Sequence, residues 1–102
     1  MASMQAFSPI WGSGVTASVT ATTGNQAKGY NSKTLCLTNL GDKVAYVRTG
    51  VGSGITATIA DFPVLAGQQV TITKPNDDDY VAYVCAATES TSLHIMPGEG
   101  RI

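Results

Sequence analysis

The sequence predicts an all-β domain: an antiparallel two-sheet β-sandwich, jelly-roll-like, of about seven strands. Three observations predict it. Side chains alternate apolar and polar with a period of two from end to end, and no stretch carries apolar residues at helical spacing for more than one turn. The connections between the alternating runs are only a few residues long, too short for the crossover helices that a parallel sheet needs. Closing the sheet into a barrel is the less favoured arrangement of the same strands.

The runs follow in order. Val15, Ala17, Val19 and Ala21 alternate with Thr16, Ser18, Thr20 and Thr22, giving one apolar and one hydroxylated face. Gly24-Asn25 is expected to turn into a polar segment reaching Ser32. Leu35 and Leu37 then alternate with Thr34, Cys36 and Thr38. Asn39-Leu40-Gly41-Asp42 reads as a tight turn joining this strand to 43–49 in a hairpin. Val44-Ala45-Tyr46-Val47-Arg48 is apolar on both faces, which places it centrally in its sheet. Three glycines within 50–54 predict a mobile loop; the phosphate-loop reading fails because no GK[ST] ending or helix follows.

Ile55, Ala57 and Ile59 alternate with Thr56 and Thr58 as a further strand, which Pro63 ends because proline cannot continue an interior ladder. Val70 and Ile72 oppose Thr71 and Thr73 in the next. The run 80–87 is the most apolar and is also expected to be central. Leu93 and Ile95 face inward in the last strand, with His94 outward. Residues 13–102 therefore form a single sandwich domain, and 1–12 form an N-terminal apolar arm or cap. Met1-Ala2-Ser3-Met4 offers two starts, so residues 1–3 carry no functional weight.

At 102 residues the chain has room for one core, and two-thirds of its surface, roughly, can be buried without metal or disulfide. Charged residues make up only 13 %, about half the usual share. Such a surface suits a protein packed against another, because charge is depleted at interface cores; a threonine-rich exterior also follows from β propensity alone. The six basic residues are scattered, not striped, which argues against nucleic acid. No apolar run is long enough to cross a membrane as a helix, and no basic stretch followed by an apolar one marks a standard secretory signal, so a soluble protein is expected.

Little in the sequence points to reaction chemistry. Cys36 and Cys85 sit inside alternating strands; with one histidine and no CxxC spacing they do not make a zinc site, and free buried thiols are favoured over a bond between strands. Asp77, Asp78 and Asp79 form the only charge run, but the EF-hand spacing is absent, so a solvated turn is favoured over a metal site. His94 is flanked by Leu93 and Ile95, and the acids fall mostly in expected turns where solvent holds them near normal. No catalytic residue, cofactor or metal is therefore assigned, and an enzyme is not expected.

Binding falls instead to 4–11. This segment is apolar and non-alternating, and Pro9 keeps it extended. Phe7, Ile10 and Trp11 either cap their own sandwich or form an arm that docks on a neighbouring subunit. They are the candidate protein-interface residues.

Several features together resemble the small structural proteins encoded in the head-gene regions of tailed bacteriophages and prophages, a group that includes capsid decoration or cement proteins of β-sandwich fold. They are the Phe7-x-Pro9 start, the Thr/Ala-rich first strand, Leu37-Thr38-Asn39-Leu40-Gly41 followed by Val44-Ala45-Tyr46-Val47-Arg48-Thr49-Gly50, Pro63-Val64-Leu65-Ala66-Gly67, and Met96-Pro97-Gly98-Glu99-Gly100. The resemblance implies a homo-oligomer made in the host cytoplasm that binds the major capsid protein on the outer shell of the virion. It also leaves open a head–tail joining or tail component. A small carbohydrate-binding β-sandwich module is the alternative from another class.

Overall fold

A computed structural model describes residues 8–27, 33–74 and 78–99. These hold nine strands: β1 (Ser8–Pro9), β2 (Val15–Val19), β3 (Gly24–Gln26), β4 (Thr34–Asn39), β5 (Ala45–Gly50), β6 (Phe62–Val64), β7 (Gln69–Thr73), β8 (Tyr80–Val84) and β9 (Thr91–Glu99). Among the described residues there is no helix. One sheet runs β9-β4-β7, with β1 and β2 sharing the free edge of the long β9; the other runs β3-β8-β5-β6. Every pairing is antiparallel. Four of the pairs are nested along the chain: β2 with β9, β3 with β8, β4 with β7, and β5 with β6.

The alternation read from the sequence does what a two-layer fold requires. Ala17, Val19, Leu35, Leu37, Leu93 and Ile95 from the first sheet meet Ala45, Val47, Val64, Val81 and Tyr83 from the second, with Cys85 just after β8, in one buried cluster. Because side chains on a strand point alternately to either face, each of these fixes its neighbours outward. The first sheet's outer face is then Thr16 and Ser18, His94 and Met96, Thr34, Cys36 and Thr38, and Gln69, Thr71 and Thr73.

Three expectations are corrected. The turn 40–44 does not close a hairpin, since β4 lies in one sheet and β5 in the other. Asn39 explains the crossing. Its Nδ2 donates to the carbonyls of Lys43 and Val64 at 2.6 and 2.9 Å, which ties the turn to β6 of the opposite sheet.

The run 55–59 is not a strand. Ala57 is buried, and Ile55 partly so, against Ala82, Val84 and Tyr46 on the outer face of the second sheet, so the alternation is real. The backbone, however, finds side chains instead of a ladder: Ala57 N–H donates to Thr23 Oγ1 and Thr58 N–H to Asp61 Oδ2.

Strands missed in the sequence are short. β3 lies in what reads as a polar connection, β6 contains Pro63, and β1 spans two residues. Proline fits β6 because that strand is an edge.

The glycine-rich loop after β5 is tied to its surroundings by hydrogen bonds. Gly52 N–H donates to Asp79 Oδ1 at 2.9 Å, and the Ser53 carbonyl accepts from Asn25 Nδ2 at 2.8 Å. Cys36 and Cys85 are both free and buried, the first on the outer face and the second in the core.

Candidate functional surface

Of the three residues singled out for binding, Phe7 lies outside the described residues, and Ile10 and Trp11 share one turn. β1 and β2 both pair with β9, and 10–14 leaves the ladder between them. Ile10 N–H still donates to the Pro97 carbonyl at 3.0 Å, holding the start of the excursion to the sheet edge. Ser13 N–H donates back to the Ile10 carbonyl at 3.2 Å, closing a four-residue turn. Gly12 occupies the third position with φ +82°, a left-handed conformation that L side chains resist. Trp11 stands at the second position of this turn and is 83 % exposed, and Ile10 is 40 % exposed. The turn, closed by defined hydrogen bonds, thus holds the indole out in water at the edge of the sheet.

The excursion returns to the sheet over a close contact. A side chain on Gly14 would sit 2.7 Å from the His94 imidazole and 3.0 Å from Met96 Cε, so the glycine lets both residues of β9 lie over the backbone. His94 lies opposite Thr16 on one side and Thr38 on the other. Its neighbours in register are therefore hydroxyls. The outer face beyond carries no charged residue across β2, β9, β4 and β7 between 16–18, 92–96, 34–38 and 69–73. Gln69 Nε2 donates to Thr38 Oγ1 at 2.8 Å, and the Cys36 thiol bonds the Thr71 hydroxyl, so the face is knitted by its own polar groups.

The acidic turn has a structural part to play. Asp77 lies outside the described residues. Asp78 accepts from the Thr49 hydroxyl of β5 at 2.8 Å and Asp79 from Gly52 N–H in the loop beyond it, so one carboxylate fastens the end of β5 and the other its loop where a solvated turn was expected. Lys74 is buried beside them: burial pushes its pKa down, while Asp78, Glu99 and Asp79 pull it back up. Among the described residues no cluster of three or more His, Cys, Asp or Glu is placed to hold a metal ion.

Trp11 stands out in the sequence by its apolar, non-alternating context, whereas Gly12 and Gly14 do not figure in that expectation. The signal was present, because Trp-Gly-x-Gly ahead of an alternating run is a turn followed by a close approach. No family model, curated protein or solved structure matches the chain.

Proposed function

We propose that the chain is a structural component of a phage virion, a capsid decoration or cement protein that binds the outer shell through the Trp11 turn and stabilises the head. The observation that carries this reading is Trp11, 83 % exposed on a hydrogen-bonded turn at the edge of a sheet face without charge. A projecting aromatic beside an uncharged face supplies the anchor and the surround of a protein–protein contact. The nested strand pairing supports a jelly-roll winding, an architecture frequent in viral capsid proteins; that is an analogy of fold and adds weight without deciding function. The likeness in turn and strand grammar noted above points the same way.

On this reading the protein needs no catalytic group and no cofactor. Its partner is the major capsid protein, and it is made in the host cytoplasm and ends on the capsid surface. Many copies on one lattice turn modest contacts into large net stability.

The test mixes purified protein with shells of its major capsid protein that lack it, followed by electron cryomicroscopy. Added density repeating over the lattice, lost in Trp11→Ala, is expected. Density at a single vertex would identify a head–tail joining component instead, and no density on any shell would remove the reading.

A further inference from the structure

We propose that β7 is a self-complementary edge through which two copies of this chain pair antiparallel, extending the first sheet across a two-fold axis centred on Thr71. The inference stands independently of the capsid reading.

β7 is the last strand of its sheet, and the hydrogen-bond phase of its single pairing fixes which groups are left over. Asn39 N–H donates to the Gln68 carbonyl and Lys74 N–H to the Lys33 carbonyl, so in this ladder residues 68, 70, 72 and 74 turn their backbone groups toward β4. Gln69, Thr71 and Thr73 therefore turn theirs outward, and among the described residues no strand receives them. Natural edges are protected by charge, proline, bulges or brevity. β6 has Pro63 and three residues, and β3 has three residues. β7 is Gln-Val-Thr-Ile-Thr, five residues without a charge or a proline.

The occupant follows from the register. With Thr71 facing Thr71 of a second copy, Gln69 faces its Thr73 and Thr73 its Gln69, and all three outward residues form hydrogen-bonded pairs at once. The same register sets Val70 against Ile72 of the second copy on the inner face. Both side chains are only partly buried at present, although they pack on the core. On the other long edge, β2, the incentive is smaller: Ala17 and Val19 are already covered, and Val15 alone is partly buried. A five-residue strand is about 17 Å long and falls short of the roughly 800 Å² per partner of a standard interface. Leu65, 52 % exposed in the turn whose carbonyl accepts from Gln68 N–H, adds apolar surface at the start of β7.

The experiment is sedimentation velocity over a hundredfold concentration range, joined to amide hydrogen exchange. The mass is expected to double from the 10.5 kDa chain as concentration rises, with the Thr71 amide becoming protected in step. Thr71→Lys and Thr71→Glu place like charges face to face at the axis; each alone should stay monomeric with an unchanged circular dichroism spectrum, and an equimolar mixture should recover the dimer. Thr71→Pro removes the outward N–H together with the hydroxyl that bonds Cys36, so it should block pairing while the β4 ladder persists; Thr71→Val, which loses the hydroxyl alone, should still pair. A chain that stays monomeric throughout, a dimer whose Thr71 amide exchanges freely, or growth beyond the dimer by head-to-tail β2–β7 contact would each overturn the proposal.

Discussion

Thr91 donates its hydroxyl to Asn39 Oδ1 at 2.7 Å, and both residues are buried. The same Oδ1 accepts from Gly41 N–H at 3.0 Å, while Nδ2 serves the Lys43 and Val64 carbonyls. One amide thus joins the end of β4, the turn after it, β6 and the start of β9, which fixes where the chain crosses from one sheet to the other.

Asn39→Ala leaves a hydroxyl, two carbonyls and an N–H without their partner. At about 1–3 kcal/mol for a buried group left unsatisfied, and with water relieving some, a loss of about 3 kcal/mol is expected. For a domain of this size that lowers the melting temperature by about 10–20 °C. Pairing it with Thr91→Val in a double-mutant cycle should reveal a coupling of about 1–2 kcal/mol. Additive effects in denaturant titrations would refute the joint role.

Two glycines should respond differently to alanine. At Gly41 the new methyl would collide with Thr91 Oγ1 and lie 3.1 Å from its Cα, so the Thr91 backbone must give and the Asn39 bond breaks; overpacking and the lost bond together cost about 2–4 kcal/mol. At Gly14 the obstacle is the His94 imidazole and the end of Met96, which can swing outward. Thermal melts should show Gly14→Ala well above Gly41→Ala, with the His94 ring resonances displaced.

The glycine-rich loop depends on the acidic turn. Asp79→Ala removes the acceptor for Gly52 N–H, a charge-assisted bond worth about 1.5–3 kcal/mol when formed and less at a half-exposed site. Amide exchange within 51–54 should accelerate, while β4 and β9 stay protected.

Burial raises the pKa of both thiols above the ordinary value of 9.0; a hydroxyl bond from Thr71 offsets this at Cys36, and Glu89 adds to it at Cys85. The folded state therefore holds these protons after the unfolded chain has released them, and stability falls as pH rises past 9.0. Lys74, with its pKa lowered from 10.5, acts in the opposite sense: the unfolded chain binds the extra proton there, so its term rises with pH toward 10.5. Subtraction isolates the thiols. The stability margin of the parent over a Cys36→Ala/Cys85→Ala variant should shrink between about pH 8 and 10. A constant margin would contradict the shift.

Much of the architecture was legible because burial is local in a strand. Val15–Val19, Leu35 with Leu37, and Leu93 with Ile95 show their inward faces in the sequence alone, and the apolar runs at β5 and β8 correctly marked central strands. Sheet membership was not legible at 40–44: a hairpin turn and a crossing turn use the same residues, and Asn39 chooses between them through partners as far away as Val64 and Thr91. Alternation over 55–59 misled for a related reason. Ile55 and Ala57 do bury alternately, but Thr23 and Asp61 take the backbone bonds that a strand would have made. At the candidate surface the sequence pointed to Trp11 and carried a turn signal in Trp-Gly-x-Gly, whereas the left-handed φ of Gly12 that projects the indole is read from the backbone.

Trp11 is the sole tryptophan, so the intrinsic indole emission reports on the proposed contact without labelling. Iodide quenching of that emission, measured for the free protein and again after saturating shells that lack it, tests the account most directly. Efficient quenching in the free protein and strong protection with a blue shift on the shell are predicted, both weakened by Gly12→Ala, which strains the turn by about 1–2 kcal/mol. Shell-bound protein whose indole stays fully open to iodide would contradict the claim that this turn is the docking element.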